Sequence, residues 1–170
     1  CEPSTDSLVI FSPTYGMYSV CAEVNNVQVK EFILNNDFSI NLQQFFNGIS
    51  PSTKVVFICS PNNPTGNAQP IETIEQILSK FRGIVVVDEA YIDFCPEKTY
   101  LSLLNRYPNL VVLQTFSKAW AMAGARIGIA FANPKIIATL NKVKFPYNIC
   151  LLYTSDAADD LLCVDLGGRR

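Results

Sequence analysis

The sequence predicts an α/β fold, a mostly parallel sheet with helices on both faces. Six short runs rich in branched aliphatic residues recur along the chain, at 8–12, 27–32, 55–59, 84–88, 110–114 and 127–132. We read them as continuously apolar, which marks strands covered on both faces. Segments of helical period lie between them, and strand–helix alternation builds parallel sheets through crossover connections.

The helical segments have clear signals. Over 71–81, Ile71, Ile74, Ile77 and Leu78 share one helical face, with Glu72, Glu75 and Gln76 on the others. Over 134–143, Pro134 suits a first helical turn, and Ile136, Ile137 and Leu140 are expected to face inward.

A chain of 170 residues fits one domain able to bury roughly two-thirds of its unfolded surface. Its 49% hydrophobic and 16% charged residues exclude a disordered chain. The net charge is −2 with no block of like charge, so neither nucleic acid nor an anionic membrane is an expected partner. No apolar stretch approaches the length of a membrane span and no secretory leader is evident, so the chain reads as soluble. The six cysteines, Cys1, Cys21, Cys59, Cys95, Cys150 and Cys163, include no Cys-x-x-Cys pair, and there is no histidine. Reduced thiols of a cytoplasmic protein are expected, with no metal site and no disulfide framework. Without histidine, an enzyme built on this chain needs another group to move protons.

In parallel sheets ligands bind beyond the carboxyl ends of the strands. Three runs end in unusual polar sequences: Ser60-Pro61-Asn62-Asn63-Pro64-Thr65-Gly66, Asp88-Glu89-Ala90-Tyr91, and Thr115-Phe116-Ser117-Lys118-Ala119. If these strands are parallel neighbours, an amide, a carboxylate, a phenol, a hydroxyl and an amine gather at one edge. Singly, each motif has a plain reading: a turn, a solvated strand end, a surface lysine. Asp88-Glu89 also resembles the acidic strand end of a nucleotide hydrolase, but no phosphate-binding glycine loop precedes it. Small residues from Ala119 to Gly128 flank Arg126, which with Ser117 offers directional donors to a phosphate.

Taken in order, Asn63-Pro64-Thr65-Gly66, Asp88-Glu89-Ala90-Tyr91, Ser117-Lys118-Ala119 and Arg126 resemble the signature series of fold-type I aminotransferases, which depend on pyridoxal 5'-phosphate (PLP). The strings Pro13-Thr14-Tyr15-Gly16-Met17-Tyr18, Ser60 to Gly66 and Asp88 to Phe94 resemble more narrowly the histidinol-phosphate aminotransferase branch. The resemblance covers residues 1–149. It implies Lys118 as the catalytic lysine that carries the cofactor and shuttles a proton, and Asp88 as partner of the pyridine nitrogen. It implies Asn63 and Tyr91 at the ring's phenolic oxygen, Tyr15 stacked on the ring, Ser117 and Arg126 at the phosphate, and a cis Asn63–Pro64 bond. The partners implied are a small-molecule amino donor and a 2-oxo acid, used in two half-reactions, and a homodimer for the full-length protein. Related PLP enzymes, such as a threonine-phosphate decarboxylase or an aromatic aminotransferase, would use the same set. A more distant alternative is a non-catalytic nucleotide-binding module.

Residues 1–149 are thus expected to be part of the family's large, PLP-binding domain. The family's preceding segment and its C-terminal small domain are not in the sequence, so the chain is expected to be an internal piece, inactive alone. From Cys150 onward the family pattern stops. Residues 150–170 resemble a translated sequencing adaptor and are read as a non-native tail, the alternative being an ordinary amphipathic helix. The tail holds four Asp and two Arg, so without it 11 basic and 11 acidic residues remain, and the net charge of −2 belongs to the tail.

Overall fold

A computed structural model describes residues 1–144. The tail assigned to 150–170, and the boundary before it, lie outside the described residues. Six strands form one sheet: β1 (Ser7–Ser12), β2 (Gln28–Ile33), β3 (Thr53–Cys59), β4 (Ile84–Asp88), β5 (Leu110–Thr115) and β6 (Gly128–Ala132). Their spatial order is β2-β1-β3-β4-β5-β6. All neighbours pair parallel except β5 and β6, which are antiparallel. The expected α/β architecture is therefore present, with one antiparallel strand closing its edge.

The helices are α1 (Met17–Val24), α2 (Leu42–Gly48), α3 (Ile71–Lys80) and α4 (Pro134–Val143). Both helices read from periodicity occur. Ile74, Ile77 and Leu78 are buried as expected, whereas Ile71 opens α3 and stays 39% exposed, so the packed stripe begins one turn later. Side-chain alternation divides the sheet into two faces. On one, Val9, Phe11, Val56, Ile58, Val85, Val87, Leu110 and Val112 pack against Phe45 of α2 and the α3 stripe. On the other, Leu8, Ile10 and Cys59 pack against Tyr18 and Ala22 of α1. Helices thus cover both faces.

One strand departs from the continuously apolar reading. In β2 the sequence Gln-Val-Lys-Glu-Phe-Ile mixes polar with apolar residues, and all of them are half-buried or exposed. The reason is position: β2 is an edge strand, with a neighbour on one side only. β1 has β2 on one side and β3 on the other, so the chain reverses its winding direction between β1 and β3. Such a switch point opens a crevice at the carboxyl ends of the strands.

Phe45 anchors the larger core. It is wholly buried, and its ring lies 5.5 Å from that of Phe11, 5.9 Å from Phe32, 5.0 Å from Phe46 and 6.2 Å from Phe81, centroid to centroid. Gly83 meets the backbone closely, since a Cβ there would lie 2.3 Å from the Lys54 carbonyl oxygen. Replacing Phe45 by alanine should lower the unfolding free energy by about 3–5 kcal/mol, read from urea denaturation. Phe45→Leu, which keeps most of the volume, should lose clearly less.

Candidate active site

Because β3, β4 and β5 are parallel neighbours, their polar carboxyl-terminal sequences emerge at the same edge. With the loop after β1 they line a cleft of about 730 Å³. Tyr15, Asn63, Asp88, Tyr91, Ser117, Lys118 and Arg126 all face it. The floor is apolar, formed by Phe57, Leu113, Ile127 and Ile129.

Asp88 ends β4 in register with Cys59 on β3 and Leu113 on β5. It shares the parity of Val86, which turns its side chain toward the α1 face. Its Oδ1 accepts from the Ala90 backbone N–H at 3.0 Å, and its Oδ2 accepts from the Tyr18 hydroxyl at 2.7 Å. Burial pushes its pKa above the usual carboxylate range. The two hydrogen bonds and the positive charge of Lys118 oppose that shift. Among the described residues Asp88 makes no ion pair. The neighbouring Cys59 thiol and Tyr18 hydroxyl are both pushed upward, first by burial and then by the Asp88 charge, so they stay protonated.

The loop after β3 is stitched to the loop after β1 by the first of its two asparagines. Asn62 is buried; its Nδ2 donates to the Pro13 carbonyl at 2.8 Å and to Thr65 Oγ1 at 2.7 Å, while its Oδ1 accepts from Thr14 Oγ1 at 3.0 Å. Gly66, at φ +76°, returns its N–H to the Asn62 carbonyl at 2.8 Å. Asn63 is thereby held beside the cleft, and the Asn63–Pro64 bond is cis as the resemblance implied. Tyr15 stands in the other loop, its ring 5.6 Å from that of Tyr18 in an edge contact.

Ser117, Lys118 and Arg126 belong to the connection between the antiparallel strands β5 and β6. That pairing brings the two ends of the connection together: Phe116 N–H and Thr115 Oγ1 both donate to the Ile127 carbonyl, at 3.3 and 3.2 Å. Ser117 N–H donates to Thr115 Oγ1 at 3.1 Å. Lys118 is exposed, with Nζ 5.2 Å from the centroid of the Tyr91 ring. Arg126 adopts a left-handed backbone conformation, φ +55°, and donates from Nη1 to the Ala123 carbonyl at 3.0 Å. A Cβ on Gly124 would meet nothing within 4 Å, so close packing does not demand the glycine there.

Three contributors were not anticipated from the sequence. Tyr18 sits three residues after Tyr15, a helical spacing that places both on one side, and this was the available signal. Cys59 is the last residue of a strand whose register against Asp88 could not be read from one chain. Glu89, adjacent to Asp88, turns the other way and is fully buried. It accepts from the Tyr100 N–H at 2.6 Å, from Thr99 Oγ1 at 3.0 Å and from Gln114 Nε2 at 2.8 Å, tying the segment after β4 to β5.

The profile of the family described as aminotransferase class I and II matches residues 1–164. The chain belongs to that family. Among curated relatives, a histidinol-phosphate aminotransferase of Cytophaga hutchinsonii is 51% identical over 162 residues, which are 95% of this chain and 46% of the relative. The chain spans under half the length of the curated relatives it matches. A solved histidinol-phosphate aminotransferase from Clostridium acetobutylicum superposes with a TM-score of 0.79 at 26% identity, over 85% of this chain and 45% of that one. A structure of the Sinorhizobium meliloti enzyme in complex with pyridoxal-5'-phosphate shares the fold, with a TM-score of 0.73 at 23% identity over 82% of this chain and 39% of that one.

The Glu89 carboxyl of this aminotransferase-family chain is held above the usual range by burial, its hydrogen bonds working against that. A carboxyl whose pKa is higher folded than unfolded adds stability below its unfolded pKa and loses it as pH rises through the folded one. Glu89→Gln removes that loss. The melting temperature of the parent minus that of the variant should fall as pH is raised from the acidic side to neutrality. A difference that stays constant with pH would contradict this account.

Proposed function

We propose that the cleft binds PLP and that the full-length protein is an aminotransferase acting on histidinol phosphate and 2-oxoglutarate, giving imidazole acetol phosphate and glutamate. The observation that carries this reading is the pairing of Asp88 and Lys118 across one cleft. A half-buried carboxylate without an ion-pair partner among the described residues faces the same space as a lysine amine. The donor set fits the cofactor. Asp88 suits a protonated ring nitrogen, since a carboxylate beside a cation favours both charged forms. Tyr15 offers a ring face, Asn63 and Tyr91 offer donors to a ring oxygen, and Ser117 with Arg126 offers a phosphate its donors.

When bound, PLP supplies an aldehyde that takes up an amino group and a ring that accepts electrons from the substrate Cα. The chain's own work is positioning and proton movement. Lys118 Nζ holds the cofactor at rest and, once free, moves the proton at the substrate Cα. Asp88 holds the ring nitrogen's proton. The apolar floor keeps water from the ring. The name shared by the curated relatives supports histidinol phosphate as the amino donor.

Full-length protein with PLP added should show a visible absorption band that Lys118→Ala abolishes; a band that survives this change removes the central assignment. Turnover of histidinol phosphate with 2-oxoglutarate should fall by roughly 10²-fold or more in the same variant, the scale of lost proton-transfer catalysis. Glutamate formation that requires a different amino donor would retain the PLP site and reject the substrate.

A further inference from the structure

Tyr18 is the side chain that touches both the carboxylate at the bottom of the cleft and the aromatic at its wall. It is 7% exposed, its hydroxyl donates to Asp88 Oδ2 at 2.7 Å, and its ring edge meets Tyr15. Below, it stacks on Phe57 with centroids 4.9 Å apart and planes 18° from parallel. The ring is thus held between Tyr15 and Phe57 of β3, with its hydroxyl on Asp88 and beside the Cys59 thiol.

We propose that Tyr18 is a positioning residue that fixes Asp88 as an aimed, ionised acceptor for the cofactor's ring nitrogen and fixes Tyr15 as the wall beside it. The inference rests on the PLP reading above. Among the described residues the titratable or charged neighbours of Asp88 are Tyr18 from α1, Cys59 from β3, the adjoining Glu89, and Lys118 beyond β5. Tyr18 and Cys59 are neutral because burial and the Asp88 charge both oppose their ionisation. Glu89 faces Tyr100 and Gln114 instead. Among the described residues Tyr18 is therefore the side-chain hydrogen-bond donor to Asp88, and Ala90 N–H is the backbone one. Take the hydroxyl away and Oδ2 loses that donor at a half-buried position, which favours the neutral acid. A neutral acid does not hold a protonated ring nitrogen.

The test uses the full-length protein carrying Tyr18→Phe, which keeps the ring and its stacking, read two ways. In cofactor-free protein, carboxyl carbon NMR should show the Asp88 titration midpoint moving upward. The dissociation constant for PLP should rise on the order of tenfold or more, the value of one hydrogen bond to a charged group. A fluorinated tyrosine at position 18, a stronger donor, should move the midpoint downward. Phe57→Leu, which loosens the ring without removing the hydroxyl, should lower the melting temperature and leave the midpoint in place. An Asp88 midpoint that ignores both changes at position 18, or that moves equally with Phe57→Leu, overturns the proposal. If the Lys118→Ala protein keeps its PLP band, the function reading fails, and the cofactor-free titration still decides the role of Tyr18.

Discussion

Taking a carboxylate out of water is unfavourable unless its oxygens find donors, and this chain does so twice in succession, wholly at Glu89 and in part at Asp88. Strand alternation sends Asp88 and Glu89 to opposite sides. Glu89 turns toward the α2–α3 side, where Thr99, Tyr100 and Gln114 saturate it. Asp88 turns toward α1, where two donors meet it and the cleft leaves the remaining space open. One acid joins the segment after β4 to β5, and its neighbour stays available to a ligand. The site depends on that division.

The strand ends were legible because the information is local. Asn63, Asp88, Tyr91, Ser117 and Lys118 each lie within a few residues of the end of an apolar run, and a parallel sheet brings such ends to one edge. The helical stripe of α3 was legible for the same reason. The features that escaped depend on pairing. The half-exposed character of β2 comes from its place at the edge, and the antiparallel direction of β6 comes from a connection folding back on itself.

Long-range contacts of small motifs were the other gap. Asn62 and Asn63 look equivalent in sequence, but the structure commits the first amide entirely to Thr14, Pro13 and Thr65, and so frees the second to line the cleft. Tyr18 looks like one more apolar helix position until its hydroxyl is seen against Asp88, seventy residues away. Short α1 and α2 gave little periodic signal, since seven or eight residues span only about two turns.

The β5–β6 connection has a mechanical consequence. Its amine and its guanidinium are carried on two legs joined at the base through the Ile127 carbonyl and within the loop by Ala121 N–H to Lys118, Met122 N–H to Phe116 and Ala125 N–H to Met122. The spacing between the two cations is set by residues 116–127 together with the β5–β6 pairing that closes their base. Twisting or tilting the sheet moves both together as a unit, whereas inserting or deleting a residue between them resets the spacing at once. This stretch of chain is the ruler of the cleft, and the rest of the domain is the table on which it lies.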